Sequence, residues 1–384
     1  NGVNKTEIVL NFIYWIGLFL LMFISGSETR RLMARENQRE TAWLLGVGTP
    51  LPFLFVLGIG LATSVIPLDQ ITGTAGQQVS ALLVLAIAVA VTSIPVISRI
   101  FYDLKILHTR FASLILGTAV LEDIILWGVL AVATGIAGSS LAGHNVFNEI
   151  AVHITSAFIY MGLGLTIVPL VLKKLHTTRF NILAKASPVG YVFFILFLYA
   201  AVAAAFEVNL VFAAFLAGFG LVGGVSGTER NRFSEQLDAI AKVASGVFIP
   251  IYFSLVGYKL VLGNGFSFSM LVAFLVVSSL ISIISRGFAA RLAGFRKLDI
   301  VNIAITSNAR GGPGIVLASV AYDAGIISAP FYTTLVITAV VTSQTAGVWL
   351  RFALSKGWPL LSSNPTETWA VNLNSGQKLD PTLK

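Results

Sequence analysis

Residues 116–130 read LGTAVLEDIILWGVL, which sets Glu122 and Asp123 side by side in an otherwise uncharged apolar run. Carboxylates in such a setting can exchange a proton for a cation, or can answer a buried basic group. Neighbours on a helix point about 100° apart, so the two cannot share one face or chelate one ion symmetrically. Each requires its own surroundings. Two further stretches carry oxygen ligands. In AVAVTSIPVISR, Thr92 and Ser93 offer hydroxyls, and Pro95 frees the backbone carbonyl one turn earlier. In AITSNARGGPGIVLA, Thr306, Ser307, Asn308 and Arg310 precede Gly311, Gly312, Pro313 and Gly314, a string that can hardly continue a helix. The chemistry these residues suit is proton and cation binding by oxygen. There is no cysteine, and His108, His144, His153 and His176 lack metal-ligand spacing, so no resident metal or cofactor is expected. An intramembrane aspartyl protease needs two separated Asp, typically with a GxGD motif, and that motif is absent, so no enzymatic reaction is expected.

The elements that must position these groups are membrane helices. Of 384 residues, 56% are hydrophobic and 11% charged, with mean hydropathy +0.87, the profile of an integral membrane protein. Hydropathy with Gly, Pro and polar punctuation predicts eleven spans, at about 8–26, 42–64, 79–98, 111–137, 151–172, 188–206, 209–225, 243–262, 266–285, 299–322 and 329–350. The net charge of +8 is topological: most of the 25 Lys and Arg follow the odd-numbered spans, as with Arg30, Arg31, Arg35 and Arg39 after the first and Lys173, Lys174, Arg179 and Lys185 after the fifth. Lys5 and Lys259 lie opposite. The positive-inside rule then places the start of the chain outside and its end in the cytoplasm, and the charge implies no nucleic acid. Glu122 falls about eleven residues into the fourth span, roughly 17 Å deep and near the bilayer midplane. An ionised carboxylate there costs at least about 2.5–3.5 kcal/mol, so such residues normally face a water-filled cavity or a partner and mark an ion or proton pathway.

The third and tenth spans, both interrupted, lie an odd number of spans apart and so cross the membrane in opposite directions, as inverted-topology repeats require. If the tenth is the fifth span of its repeat, the third should be the fifth of its own, which predicts two spans ahead of Asn1 and thirteen in the intact protein. The expected architecture is a single transporter domain over residues 1–350 and a short polar cytoplasmic tail over 351–384.

In order along the chain, GLFLLMFISGSETR, VTSIPVISRIFYDLKIL, LGTAVLEDIILW, VFAAFLAGFGL, FIPIYFSLVGYKL and NARGGPGIVLASVAYDAGIISAPFYTTLVITAVVT resemble the monovalent cation:proton antiporter superfamily, in its Kef-like and plant CHX-like branch. The resemblance runs almost end to end and implies a sodium/proton-antiporter-like fold. That is an all-α polytopic membrane protein of inverted repeats, with two crossing discontinuous helices, a core and a dimerisation region. On it, spans one to four and eight to eleven are assigned to the core, the sixth and seventh to the dimer contact and the fifth to a linker. A homodimer in a lipid bilayer, most simply the bacterial cytoplasmic membrane, is expected.

The resemblance also implies roles. Asp123 matches the ion-binding aspartate that alternately carries H⁺ and Na⁺ or K⁺. Glu122 matches a position that is Asp in electrogenic members and a neutral amide in others. Thr92 and Ser93 match the crossing-helix region around the ion. Arg310 matches a basic residue of the second broken helix, suited to compensate the carboxylates. Two departures stand out. Anchoring on ARLAG at 290–294 aligns Ser282 with the family's intramembrane Lys, leaving Arg286, one turn on, either to snorkel or to pair with Glu122. RGGPG lacks the carboxylate that many relatives carry after the Arg. The function implied is exchange of a monovalent cation for H⁺; the alternative is a proton-coupled transporter of an organic solute on the same fold.

Overall fold

The computed structural model describes residues 5–32, 38–139, 155–177, 182–206, 208–223, 229–263 and 265–362. They are nearly all helical: α1 (Lys5–Leu32), α2 (Arg39–Ala62), α3 (Gln78–Ala90), α4 (Ile94–Asp103), α5 (Arg110–Ser139), α6 (Thr155–Leu172), α7 (Pro188–Ala205), α8 (Leu210–Gly223), α9 (Glu235–Tyr258), α10 (Phe268–Leu292), α11 (Leu298–Ser307), α12 (Gly311–Asp323) and α13 (Ala329–Ser355). Among the described residues nine helices are long and apolar enough to cross a membrane, counting α3 with α4 as one, and α8 is a shorter apolar helix. The only β pairing among them is one antiparallel bridge, Thr72 with Ile327, joining two loops.

Helix starts follow Ser and Pro. Ser93, Ser187 and Ser267 each accept a hydrogen bond from the backbone N–H three residues on, capping α4, α7 and α10, and Pro95, Pro188 and Pro330 stand in first turns, where a missing N–H costs nothing. In α2 a π turn at Leu44–Gly48 precedes Thr49 and Pro50. Apolar side chains such as Phe12, Phe55, Phe197, Val277 and Ile284 point outward, as lipid-facing surfaces require. The third span is instead central, with 83% of its apolar window buried.

Packing divides the helices into two bundles. In one, α1 lies along α8 and α9, and α6 and α7 pack on α8. The α1–α8 contact is backbone to backbone: a Cβ on Gly26 would collide with the Phe215 carbonyl, and one on Gly218 with that of Phe23. The other bundle holds α2 to α5 and α10 to α13. The first and eighth predicted spans, α1 and α9, thus join the seventh rather than the core to which the resemblance assigned them. Gly218 of the seventh span serves this internal packing.

One boundary also shifts. The tail boundary at 351 falls inside α13. Beyond it Leu360 and Leu361 are buried, held by Asn302 Nδ2, which donates to the carbonyl of Leu360 at 3.2 Å, and by Asp299, which accepts from the N–H of Ser362 at 2.8 Å. Residues 363–384, with His144 and His153, lie outside the described residues.

Candidate functional site: two crossing breaks beside a carboxylate pair

The third and tenth spans are both interrupted. α3 stops at Ala90 and α4 starts at Ile94; α11 stops at Ser307 and α12 starts at Gly311. The gaps fall ahead of the residues read as helix breakers: Pro95, Gly312 and Pro313 sit in the first turns of the following helices, and only Asn308, the C-cap of α11, stands in a gap. Pro and Gly are costly within a helix but tolerated at its start, so they mark where the second half begins. Gly311 has φ +42°, and a Cβ there would strike Ser93.

The two gaps cross and bond to each other. The Ser93 N–H donates to the Ala309 carbonyl at 2.7 Å, and Thr92 Oγ1 donates to the Ser307 carbonyl at 2.8 Å. From α13, Ser343 Oγ accepts the Gly311 N–H at 3.0 Å and Thr342 Oγ1 the Arg310 N–H at 3.4 Å. The N–H groups of Ser93, Arg310 and Gly311, released by unwinding, are therefore satisfied within the protein, as membrane depth demands.

Arg286 collects the C-terminal ends of both first halves. Its guanidinium donates to the Ala90 carbonyl at 2.6 Å, the last residue of α3, and to the Ser307 carbonyl, the last of α11. It also donates to Ser282 Oγ at 2.8 Å and pairs with Glu122 Oε2 at 3.2 Å. Helix C-termini carry partial negative charge, so one cation between two of them and a carboxylate is well placed. Arg286 is 2% exposed; α10 runs to Leu292, past the predicted span end at 285, and this carries the guanidinium inward rather than to an interface. Of the two positions left open by the sequence, the geometry is the pair with Glu122.

Glu122 takes its second partner from α2, where Thr49 Oγ1 donates to Oε1 at 2.6 Å. The preceding π turn brings Gly48 against the Arg286 stem, and π turns of this kind recur at functional sites. Thr49 was not singled out from the sequence. Its only signal there is a hydroxyl directly before Pro50, akin to the Thr92–Pro95 stretch.

Asp123 differs. It is fully buried, and neither carboxylate oxygen has a hydrogen-bond partner. As the helical offset requires, it does not share the Thr49–Arg286 surroundings of its neighbour. Arg310 is buried too, with Nε, Nη1 and Nη2 unpartnered and the guanidinium 5.4 Å from the Phe274 ring centroid. It forms no ion pair within 4.0 Å with either carboxylate among the described residues, so the cation that reaches the pair is Arg286. Thr306 Oγ1 and Asn308 Oδ1 are further buried oxygens without partners. A cleft of about 520 Å³ runs between the bundles to this region, lined by Ser25 and Glu28 of α1, Ser245 and Phe253 of α9, and Pro95, Arg99, Gly311, Gly312 and Ser343 on the core side.

The sequence model described as "Sodium/hydrogen exchanger, transmembrane" matches residues 1–356. The chain is 23% identical to the Na(+)/H(+)-K(+) antiporter GerN of Bacillus cereus over 340 residues, which are 88% of this chain and 81% of that protein. It is 26% identical to K(+)/H(+) antiporter 1 of Saccharomyces cerevisiae over 343 residues, covering 87% of this chain and 38% of the yeast protein. With Cation/H(+) antiporter 19 of Arabidopsis thaliana it shares 22% over 345 residues, 88% of this chain and 41% of the plant protein. The chain thus spans about four-fifths of the bacterial relative and about two-fifths of the yeast and plant ones. With a match from residue 1 to residue 356, the chain belongs to the sodium/hydrogen exchanger family.

Proposed function

We propose that this chain exchanges a monovalent cation, Na⁺ or K⁺, for H⁺, and that Asp123 carries each in turn. The supporting observation is the contrast between the two carboxylates. Glu122 is already neutralised by Arg286 and bonded by Thr49, whereas Asp123 is fully buried with no protein partner. A carboxylate at that depth is stable when a proton or a cation neutralises it and costly when bare, so the two ligands compete for one place. If the core moves only with that place filled, the two fluxes are coupled. Thr92, Ser93, Thr306 and Asn308 supply oxygens suited to a partly dehydrated alkali cation, and Arg310 limits the positive charge the core will accept.

The inverted repeats belong to the same reading. So do a homodimer, for which α7 offers exposed Phe194, Phe197 and Leu198, and a bacterial cytoplasmic membrane with the basic loops and the C-terminus inside. The relatives named as Na(+)/H(+) and K(+)/H(+) antiporters support cation exchange, and no observation favours an organic solute.

The test is transport in liposomes with an imposed pH gradient and a pH-sensitive dye, adding Na⁺, K⁺ or Li⁺. Cation-evoked proton movement is expected in the native chain and absent in Asp123→Asn. No response to any alkali cation from correctly reconstituted native protein overturns the proposal.

A further inference from the structure

The two bundles are tied at one end and parted at the other. At the end away from the basic loops, the Tyr14 hydroxyl of α1 donates to Asp323 Oδ2 at 2.7 Å, and Lys259 Nζ, just past α9, reaches Asp323 Oδ1 at 2.7 Å. Lys259 Nζ also sits 3.9 Å from the Tyr14 ring centroid, so the three side chains close a ring. Alongside, the Tyr332 hydroxyl donates to the Val256 carbonyl and the Val261 N–H donates to Thr333 Oγ1, both at 3.0 Å. Each of these bonds joins α1, or α9 and its following loop, to α12 or α13. At the basic-loop end the cleft separates the same four helices, with Ser25 and Ser245 on one wall and Val316 and Ser343 on the other.

We propose that Tyr14, Asp323 and Lys259 form a clasp that gates the end away from the basic loops, leaving the cleft between the bundles open to the basic-loop side. This rests on the exchanger reading. An exchanger presents its site to one side at a time, and closing the cleft swings α12 against α1 and α9, drawing Asp323 away from both partners. The exposure of the pair suits release: Lys259 and Asp323 are 29% and 21% exposed, against 3% and 2% for Arg286 and Glu122. Parted surface charges regain water, whereas parting the buried pair strands a bare charge. The clasp therefore opens in each cycle while the Glu122–Arg286 pair travels intact within the core.

The chain has no cysteine, so single cysteines report cleanly. Ser25→Cys probes the cleft, and Ser319→Cys, one turn below Asp323 on α12, probes the space beneath the clasp. Both are read in liposomes with a membrane-impermeant maleimide and no cation gradient. In the otherwise native chain Ser25→Cys is expected to react from the basic-loop side and Ser319→Cys to resist from the other. Adding Asp323→Asn, or Tyr14→Phe, which removes only a hydroxyl, is expected to speed Ser319→Cys labelling about tenfold and to slow Ser25→Cys labelling. Unchanged labelling at both reporters in Tyr14→Phe, and in Asp323→Asn where it folds, overturns the clasp. Because no transport is read, the two ideas fail separately: labelling that shifts in a chain without cation exchange refutes the exchanger and keeps the gate, and unmoved labelling in an active chain does the reverse.

Discussion

At the scale of single residues, Arg286 carries more bonds than any other side chain of the crossing. It bonds Glu122, Ser282 and the closing carbonyls of two half-helices. A planar guanidinium can reach several acceptors at fixed angles, which a lysine ammonium cannot. Arg286→Met is therefore expected to cost about 3–5 kcal/mol, the range for stripping one partner from a buried ion pair, seen as a lowered melting temperature in detergent. Arg286→Lys should recover only part of it. Thr49→Val leaves Glu122 Oε1 short of a donor and should cost about 1–3 kcal/mol in the same melts, with Thr49→Ser close to native. These partners were unequally legible. Glu122 and Asp123 stand out in any reading, because acidic pairs are rare in apolar runs. Arg286 was ambiguous because hydropathy ended its span at 285, just ahead of it, whereas the helix runs on to Leu292, and burial is decided by where the helix ends in space. Thr49 was invisible, since its role depends on a contact across 73 positions of sequence.

At the scale of elements, the two breaks act through each other. Neither stretch has enough partners of its own for an unwound backbone, and each supplies what the other lacks through the Ser93–Ala309 and Thr92–Ser307 bonds. Gly311 is the tightest point, with φ +42° and no room for a Cβ against Ser93. Gly311→Ala should cost about 1–3 kcal/mol in backbone strain and disturb the crossing. The expected outcome is a lower melting temperature together with slowed cation-evoked proton movement, whereas Gly312→Ala, where a Cβ meets nothing within 4 Å, should fold normally. That the third and tenth spans are broken was readable from Pro and Gly. The exact gaps were not, because the same residues also open helices, and only the hydrogen-bond ladder tells a first turn from an interruption. Which bundle α1 and α9 join was likewise hidden: Gly26 and Gly218 show that backbones meet somewhere, and their partners are set by the fold.

At the scale of the whole molecule, charge bookkeeping constrains the exchange. The core holds Glu122 and Asp123 against Arg286 and Arg310, all buried, and Glu122 is committed to Arg286. If Asp123 alone swaps its proton for a cation, the moving unit carries the same charge in both loaded states. Exchange is then electroneutral, and an imposed membrane potential should leave its rate unchanged; a clear potential dependence would mean that Glu122 also titrates during the cycle. The measurement closest to the central claim needs no membrane: purified protein in weakly buffered detergent solution, titrated with Na⁺ or K⁺ while released protons and bound cation are both counted. About one proton released per cation bound is expected, with both signals lost in Asp123→Asn. Cation binding without proton release, or undiminished release from Asp123→Asn, would contradict it.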